Sequence, residues 1–349
     1  MADHEKYMRR CLELAEKGAG RVAPNPMVGC VIVRNDVIIA EGYHMQYGGP
    51  HAEVNAIRHV ADERALREST LYVNLEPCAH FGKTPPCADL ILEKKIPYVV
   101  IGCMDPNPQV QGKGIHRLLQ NGVDVKVGVL EKEAQFLNRR FFTGIREQRP
   151  YIVLKWAQSA DGFIDHNRDQ NNGERAIVSS PEAHLLVHKW RSEEAAIMVG
   201  TNTVISDDPQ LTVRLTEGPN PVRVTFDRRN RIPHEAKILD GTSPTIIFTE
   251  GAHYTTERAE FIPIDFSAHP LRQALAILHE KKLLSVLVEG GTAILNKFFE
   301  ENLWDEVRVL VSPKEFGGGV KAPVFPVTDF STENVGPDKL YRFYNRDAD

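Results

Sequence analysis

At 349 residues the chain is too long for one comfortable hydrophobic core, so two domains are expected. A hydrophobic content of 42% with 26% charged residues is that of an ordinary soluble globular protein. Net charge is −5, and it divides unevenly. Residues 1–149 hold 20 Lys and Arg against 18 Asp and Glu, and residues 150–349 hold 22 against 29. Neither half has the basic surplus typical of a nucleic-acid-binding domain, although one or two placed cations would suffice for a small anionic substrate.

The N-terminus, MADHEKYMRR, is charged at once and has no apolar segment of the secretory type. Apolar runs such as YVVIGC and LLSVLV fall far short of the roughly 18 residues a membrane span needs. A cytoplasmic location is expected. The five cysteines (Cys11, Cys30, Cys78, Cys87 and Cys103) are odd in number and sparse, which fits a reducing compartment. There, thiols are core filler, metal ligands or nucleophiles.

In chain order, Tyr7, Met8, Cys11, Leu12, Leu14 and Ala15 recur near the 3.6-residue period and predict a helix over 3–18, ended by Gly18 and Gly20. VGCVIVRNDVIIAEGYH is a hairpin pattern around Asn35-Asp36. Helical spacing returns over 51–62. A strand (70–76), a helix (about 86–95), a strand (98–103), a helix (about 112–121) and the strand VDVKVGV follow. Strands alternating with helices imply a layered α/β domain. The polar stretch REQRP, 146–150, marks the boundary, giving domains of 1–146 and 150–349. After it, YIVLKWAQSADGFI restarts the strand pattern. Further strands are expected at 195–199, 222–226, 244–248, 284–289 and 305–311, and helices at about 181–192, 270–282 and 291–301. There is no internal repeat.

The chemistry-bearing stretch begins at PHAEVNAI, 50–57, where His51 and Glu53 stand at a helix start. Downstream, EPCAHFGKTPPC (76–87) supplies Cys78 at a strand end and Cys87 at another helix start. One imidazole and two thiolates suit zinc, and three protein ligands leave a fourth position open, as catalytic zinc sites do. Helix N-termini favour thiolate over thiol. Glu53 is then the proton carrier from water to a leaving amine. His-x-Glu followed by Pro-Cys-x-x-Cys is the signature of zinc deaminases, with the glutamate outside the metal shell. Here eight residues rather than two separate the cysteines. The insert brings His80, which opens a rival reading: a closed Cys2His2 shell would make the zinc structural and leave Glu53 without a task. Gly82-Lys83-Thr84 is no Walker motif, because position 77 is proline rather than glycine.

At this point the residues resemble a known family. PNPMVGCVIV (24–33), HAEVNAI, EPCAHFGKTPPC and DPNPQVQGKGI (105–115) are similar to the deaminase half of the bifunctional enzyme of riboflavin biosynthesis. LKWAQSADGFI (154–164), VHKWRSEEAAIMVGTNTVISDDPQLTVR (187–214) and VEGGTAILNKF (288–298) resemble its reductase half. The resemblance covers nearly the whole chain in the expected order. It implies a cytidine-deaminase-like three-layer domain followed by a dihydrofolate-reductase-like α/β domain.

Two reactions are implied: zinc-dependent loss of the 2-amino group of 2,5-diamino-6-ribosylamino-4(3H)-pyrimidinone 5′-phosphate as ammonia, then NADPH-dependent reduction of the ribosyl group to ribityl. His51, Cys78 and Cys87 carry over as ligands of one zinc and Glu53 as the catalytic proton donor. Asn25, His44, His80 and Lys83 match positions lining the deaminase pocket, with Lys83 toward the phosphate.

In the second half Ala157, Thr203 and Asp207 match cofactor-contact positions. Gly290, Gly291 and Thr292 sit where a strand turns into a helix, and backbone N–H groups there can meet a pyrophosphate. Arg191 and Arg214 are candidate anchors for phosphate or ribose oxygens, since guanidinium forks grip them. The resemblance adds Leu211 and Glu289 as substrate contacts, while Lys155 and Asp161 lie near enough to be pocket residues or core edge. The chain departs from the family at ERAIVSSP (174–181), so the contacts of a serine and a tryptophan there do not transfer to Arg175 and Ile177. A small phosphorylated pyrimidine, no nucleic acid, no membrane and a homo-oligomer (dimer or tetramer) are the expected partners. A nucleoside or nucleic-acid deaminase with a scaffold second half, and a non-catalytic sensor, are the alternatives; an NADPH-oxidation assay separates the first of these.

Overall fold

The computed structural model describes residues 3–79, 86–108, 110–168, 174–251, 256–324 and 330–345. The chain divides between Gln148 and Arg149 into two compact units.

The first unit runs α1 (His4–Glu16), β1 (Gly29–Arg34), β2 (Val37–Tyr43), α2 (Ala52–Arg58), β3 (Thr70–Leu75), α3 (Cys87–Glu93), β4 (Tyr98–Cys103), α4 (Lys113–Gln120), β5 (Asp124–Val127), α5 (Glu131–Leu137) and α6 (Arg139–Arg146). Asp3 caps α1 by accepting from the Lys6 backbone N–H at 3.2 Å. The predicted hairpin forms between β1 and β2, and Asn35 and Asp36 both take positive φ (49° and 59°), as a two-residue hairpin turn requires. The sheet order is β2-β1-β3-β4-β5, antiparallel at β2-β1 and β1-β3 and parallel from β3 to β5.

Strand alternation divides the core between the two faces of this sheet. Cys30, Ile32, Leu71, Val73, Val99 and Ile101 pack with Ala52, Ala56 and Ile57 of α2, Ala88 and Ile91 of α3 and Leu118 of α4. On the other face Val31, Val33, Tyr72 and Val100 meet Tyr7, Met8, Cys11 and Leu14 of α1. Full burial of each such aliphatic side chain is worth about 1.5–3 kcal/mol, so the three layers hold each other. Two glycines permit the close packing that seats the helices. A Cβ on Gly29 would lie 2.1 Å from the Cys11 carbonyl oxygen, and one on Gly42 would lie 2.3 Å from the Ala56 nitrogen. Gly42 thus fixes how closely α2, with His51 before its first residue, lies on the sheet.

The second unit runs β6 (Tyr151–Gln158), β7 (Phe163–Asp165), α7 (Pro181–Glu193), β8 (Ala196–Val199), α8 (Thr201–Asp207), β9 (Val222–Phe226), β10 (Thr245–Thr249), β11 (Glu260–Pro263), α9 (Pro270–Glu280), β12 (Ser285–Glu289), α10 (Thr292–Glu300), β13 (Glu306–Val311), β14 (Val320–Lys321), β15 (Ser331–Val335) and β16 (Asp338–Tyr344). Its main sheet has the order β11-β10-β9-β8-β12-β6-β13-β16-β15. The strands from β11 to β13 are parallel, and β16 and β15 add an antiparallel edge. Continuous apolar strands such as Ile197-Met198-Val199 are what burial on both faces demands. Leu271, Ala274, Leu275 and Leu278 of α9, with Leu295 and Phe298 of α10, cover one face. Ala183, Val187 and Trp190 of α7 and Val204 of α8 cover the other.

One topological feature places a site. β8 and β12 are neighbours, but β8 leads through α8 to β9 on its far side, and β12 leads through α10 to β13, beyond β6. Connections leaving in opposite directions open a crevice at the carboxyl ends of those two strands, the usual ligand position in such sheets.

The structure also corrects the element reading, most plainly in three places, and adds α8, β11 and β14, which that reading did not give. The helix expected over 51–62 ends at Arg58 and is followed by a 3-10 turn, Glu63–Glu68. Two short helices, α5 and α6, occupy 131–146; broken at Asn138, they produce no long periodic run in sequence. The last hairpin, β15 and β16, was unread because it is a largely exposed edge with no apolar run.

Candidate active sites

In the first unit, three donors converge where β3 and two helix starts meet. His51 stands immediately before α2, Cys87 opens α3, and Cys78 lies three residues beyond β3. His51 Nδ1 is 3.2 Å from Cys87 Sγ and 3.6 Å from Cys78 Sγ. The three ligand atoms all lie within 4.8 Å of one another, the spacing a single tetrahedral ion needs. The Cys87 backbone N–H donates to Cys78 Sγ at 3.3 Å. Hydrogen bonding from the Cys87 thiol, and then from His51, pulls Cys78 well below the ordinary thiol range, while Cys87 moves up. His51 is raised in turn by its bond to Cys78.

Glu53, in the first turn of α2, is buried beside this set. Burial first, and the charge on Cys78 second, raise its carboxyl above the usual carboxylate range. A buried carboxyl held toward its protonated form next to a ligand cluster is equipped to exchange a proton.

His44 and Asn25 lie alongside. The His44 and His51 rings meet edge to face at 5.7 Å. His44 Nδ1 is 3.0 Å from the Pro50 carbonyl oxygen, which can only accept, so Nδ1 carries the proton. Its Nε2 is then bare and accepts from Asn25 Nδ2 at 3.1 Å. Burial lowers the His44 pKa and keeps this neutral tautomer in place. That assignment leaves the Asn25 amide oxygen as its other hydrogen-bonding atom. His80 and Lys83 lie outside the described residues.

Sequence reasoning missed the groups that hold this site open. Buried Glu76 accepts backbone N–H bonds from Asp105, Gly112, Gly114 and Ile115 at 3.0–3.4 Å. Gly114 has no room for a Cβ, which would lie 1.9 Å from the Pro77 carbonyl oxygen. Together they press the start of α4 against the strand end that carries Cys78. Asn74 and Asn138 both bind the Met27 backbone, fixing the segment that presents Asn25. The only available signal was the position of Glu76, two residues before Cys78.

In the second unit the candidate residues gather at the carboxyl ends of β6, β8 and β12. Arg191, on α7, grips Glu289 through both Nε and Nη2 at 2.8 Å. Lys155, opposite Glu289 in the β12-β6 register, has Nζ 3.7 Å from the same carboxylate. Although burial opposes it, the field of Arg191 and Lys155 holds Glu289 at about 2. Burial lowers Lys155 from the ordinary lysine range. Arg191 also donates to the Thr212 carbonyl, and Arg214 donates to Thr212 Oγ1 at 2.9 Å. The Arg214 backbone N–H bonds His188 Nδ1, tying these arginines to α7. Leu211, at positive φ (55°), has its side chain in the core.

Thr203, Gly290, Gly291 and Thr292 line the crevice between β8 and β12. Gly290 and Gly291 take φ of 104° and 79°, and a Cβ on Gly291 would lie 2.9 Å from Thr203 Oγ1. No side chain caps α10, so its first N–H groups are available to a ligand. Thr292 Oγ1 donates to the Lys321 carbonyl. Ala157 lies two residues beyond Lys155 on β6. Asp207, at the end of α8, pairs with Arg168 at 2.7 Å and lies 3.8 Å from Arg175. Asp161 accepts from the Phe316 and Gly317 backbones and so holds a loop. Arg175 and Ile177 are largely exposed.

The folds and sites define a class: a zinc-binding deaminase domain joined to a reductase domain. The family described as the cytidine and deoxycytidylate deaminase zinc-binding region matches residues 1–103, and the RibD C-terminal domain matches 150–346. The chain belongs to the RibD family of riboflavin biosynthesis proteins. It is 41% identical to riboflavin biosynthesis protein RibD of Aquifex aeolicus, covering 98% of each chain. It is 35% identical to that of Escherichia coli, covering 96% of this chain and 97% of that one. Among solved structures, a diaminohydroxyphosphoribosylaminopyrimidine deaminase/5-amino-6-(5-phosphoribosylamino)uracil reductase from Thermotoga maritima superimposes with a TM-score of 0.88 at 38% identity, with 98% of each chain covered. RibD of Acinetobacter baumannii gives 0.87 at 35%, with the same coverage.

Proposed function

We propose that the chain carries out two successive steps of riboflavin biosynthesis, a deamination in residues 1–146 and a reduction in residues 150–349. Its family membership makes it a bifunctional deaminase and reductase. The substrate of the first step is 2,5-diamino-6-ribosylamino-4(3H)-pyrimidinone 5′-phosphate. Water adds at the carbon bearing the 2-amino group, and ammonia leaves. The product of the second step is 5-amino-6-ribitylamino-uracil 5′-phosphate.

The observation that carries the first assignment is the meeting of His51, Cys78 and Cys87 beside buried Glu53. One nitrogen and two sulfur donors fit one zinc per chain, which when bound supplies a water acidic enough to react near neutrality. Glu53 takes the proton from the attacking water and returns it to the departing amino nitrogen. Asn25 and His44 orient the pyrimidine, and by family resemblance His80 and Lys83 serve the same substrate, Lys83 its phosphate.

For the reduction, NADPH fits the crevice at Ala157, Thr203, Asp207, Gly290, Gly291 and Thr292, and when bound supplies a hydride. Lys155, Arg191, Leu211, Arg214 and Glu289 bind the ribosyl phosphate. Free guanidinium donors of Arg191 and Arg214 suit its oxygens, while Glu289 fixes Arg191 in place. We assign the enzyme to the cytoplasm and to a dimer or tetramer; among the described residues no helix is long and apolar enough to cross a membrane.

Product analysis with and without NADPH, alongside zinc content, tests both halves. Ammonia should be released in either case, and the ribityl product should form only with NADPH. Zinc-loaded protein that released no ammonia would overturn the deaminase assignment; reduction without NADPH would overturn the other.

A further inference from the structure

Neither reaction above uses α5 and α6, which lie beyond residue 103, where the deaminase family match ends. The two helices meet at Asn138, which is buried and turns the chain from one into the other with φ −96° and ψ 19°. Ala134 of α5 and Phe142 of α6 pack with Leu75 and Cys103, at the ends of β3 and β4, and with Val28. The break between the helices is thereby set against the stretch that enters β1.

An asparagine before a helix ordinarily turns its amide oxygen onto the first N–H groups of that helix. Asn138 makes no such bond to α6. Its amide faces Met27 instead, 111 residues away: Oδ1 accepts the Met27 N–H at 2.7 Å, and Nδ2 donates to the Met27 carbonyl at 2.9 Å. A backbone N–H only donates and a carbonyl only accepts, so the amide has a single orientation. Asn74, wholly buried on β3, grips the same stretch. Its Nδ2 donates to the Met27 carbonyl at 3.0 Å, and its Oδ1 accepts the Gly29 N–H at 2.8 Å. Two residues before Met27 stands Asn25, whose Nδ2 meets His44 Nε2.

We propose that Asn138 is a positioning residue for the deamination: through the Met27 backbone it sets the place of Asn25 against the substrate ring, which makes the break between α5 and α6 part of the deaminase site. The proposal rests on reading Asn25 as a substrate contact. Residues 26–28 belong to neither helix nor strand, so their hydrogen bonds decide how well they are held. With the clamp cut, Asn25 gains freedom that must be removed again each time substrate binds, and the oriented contact weakens.

The test is a double-mutant cycle on ammonia release with Asn138→Asp and Asn25→Ala. Aspartate keeps an oxygen for the Met27 N–H but cannot donate to its carbonyl. Asn138→Asp should lower kcat/KM for deamination about tenfold, the size of one net hydrogen bond, with zinc content and NADPH-dependent reduction of pre-deaminated substrate unchanged. In protein that already carries Asn25→Ala, the same change should have little further effect, because the residue it positions is gone. A merely structural loss would multiply through that background undiminished, and this result would overturn the proposal, as would loss of zinc. Asn138→Ser, which adds no charge, keeps the question open to measurement should the aspartate unfold the first unit; a serine variant that also lost zinc or fold would show a folding element and overturn the positioning role. An impaired Asn25→Ala beside a normal Asn138→Asp would overturn the clamp alone. Normal turnover in Asn25→Ala would overturn the reading of Asn25 itself, and the clamp with it.

Discussion

Both units place their candidate sites at the carboxyl ends of strands where helices begin, yet they build them from different material. The first brings side chains together: an imidazole, two thiols and a buried carboxyl within one small volume. The second relies on backbone. Two glycines at positive φ and an uncapped helix start define the crevice, and its charged side chains neutralise one another in a buried Arg191-Glu289-Lys155 set. A site made of side-chain donors fails abruptly when one donor changes. A site made of backbone and balanced charge degrades by steps. That contrast can be tested directly.

The largest effect should come from Cys87→Ser. A hydroxyl is a much poorer zinc ligand than a thiolate, so elemental analysis of protein purified without chelator should fall from about one zinc per chain to near none. Ammonia release should vanish with it, and chelation of wild type should mimic the variant. Full zinc and normal deamination in Cys87→Ser would break the assignment of the donor set.

Glu53→Gln should separate chemistry from binding. Glutamine keeps the shape and a hydrogen-bonding group but cannot carry a proton. Turnover in deamination should fall by at least about a hundredfold, roughly 2.7 kcal/mol in barrier, with zinc retained. NADPH-dependent reduction of pre-deaminated substrate should persist. Loss of that second activity in a folded variant would mean the two sites are not independent.

In the second unit Arg191→Met removes a bidentate partner and leaves buried Glu289 facing Lys155 alone, 3.7 Å away. Breaking a buried pair costs about 3–5 kcal/mol when nothing compensates; with Lys155 remaining, about 2 kcal/mol of unfolding free energy is expected. Denaturant melts would show it. Saturable reduction should survive with a raised KM, because the crevice backbone is untouched. Complete loss of reduction in a folded variant would contradict the stepwise picture.

The same difference in material decides what could be read beforehand. His51, Cys78 and Cys87 were legible as one donor set, because rare residue types at fixed spacing beside strand ends and helix starts converge in the fold, with Glu53 buried beside them. The order of strands and helices was legible where apolar runs were long, as in β6 and β12. Glu76 was not: its role is to bind four backbone N–H groups of a segment some thirty residues away, and no local pattern announces that. Asp161 turned out likewise to hold a loop.

The smallest effect concerns acid stability and would sharpen the comparison in the second unit. His188 is buried on α7, and its Nδ1 accepts the Arg214 backbone N–H, so the folded chain holds it without a proton on that nitrogen. Burial first, then the charges of Arg191 and Arg214, lower its pKa from 6.5 to about 4. The sign follows from proton counting. Between pH 6.5 and 4 the unfolded chain binds a proton at this position that the folded chain does not, so stability falls as pH falls across that window and levels below it. Glu289, held at about 2, adds its own loss only below the ordinary glutamate range near 4.5. The two contributions are therefore separable. His188→Gln can still accept the Arg214 N–H through its amide oxygen but does not titrate. Its unfolding free energy, measured from pH 7 to pH 5, should be flatter than that of wild type and should rejoin the wild-type slope below about pH 4. Parallel curves across the upper window would show that His188 is not the group whose charging weakens this unit.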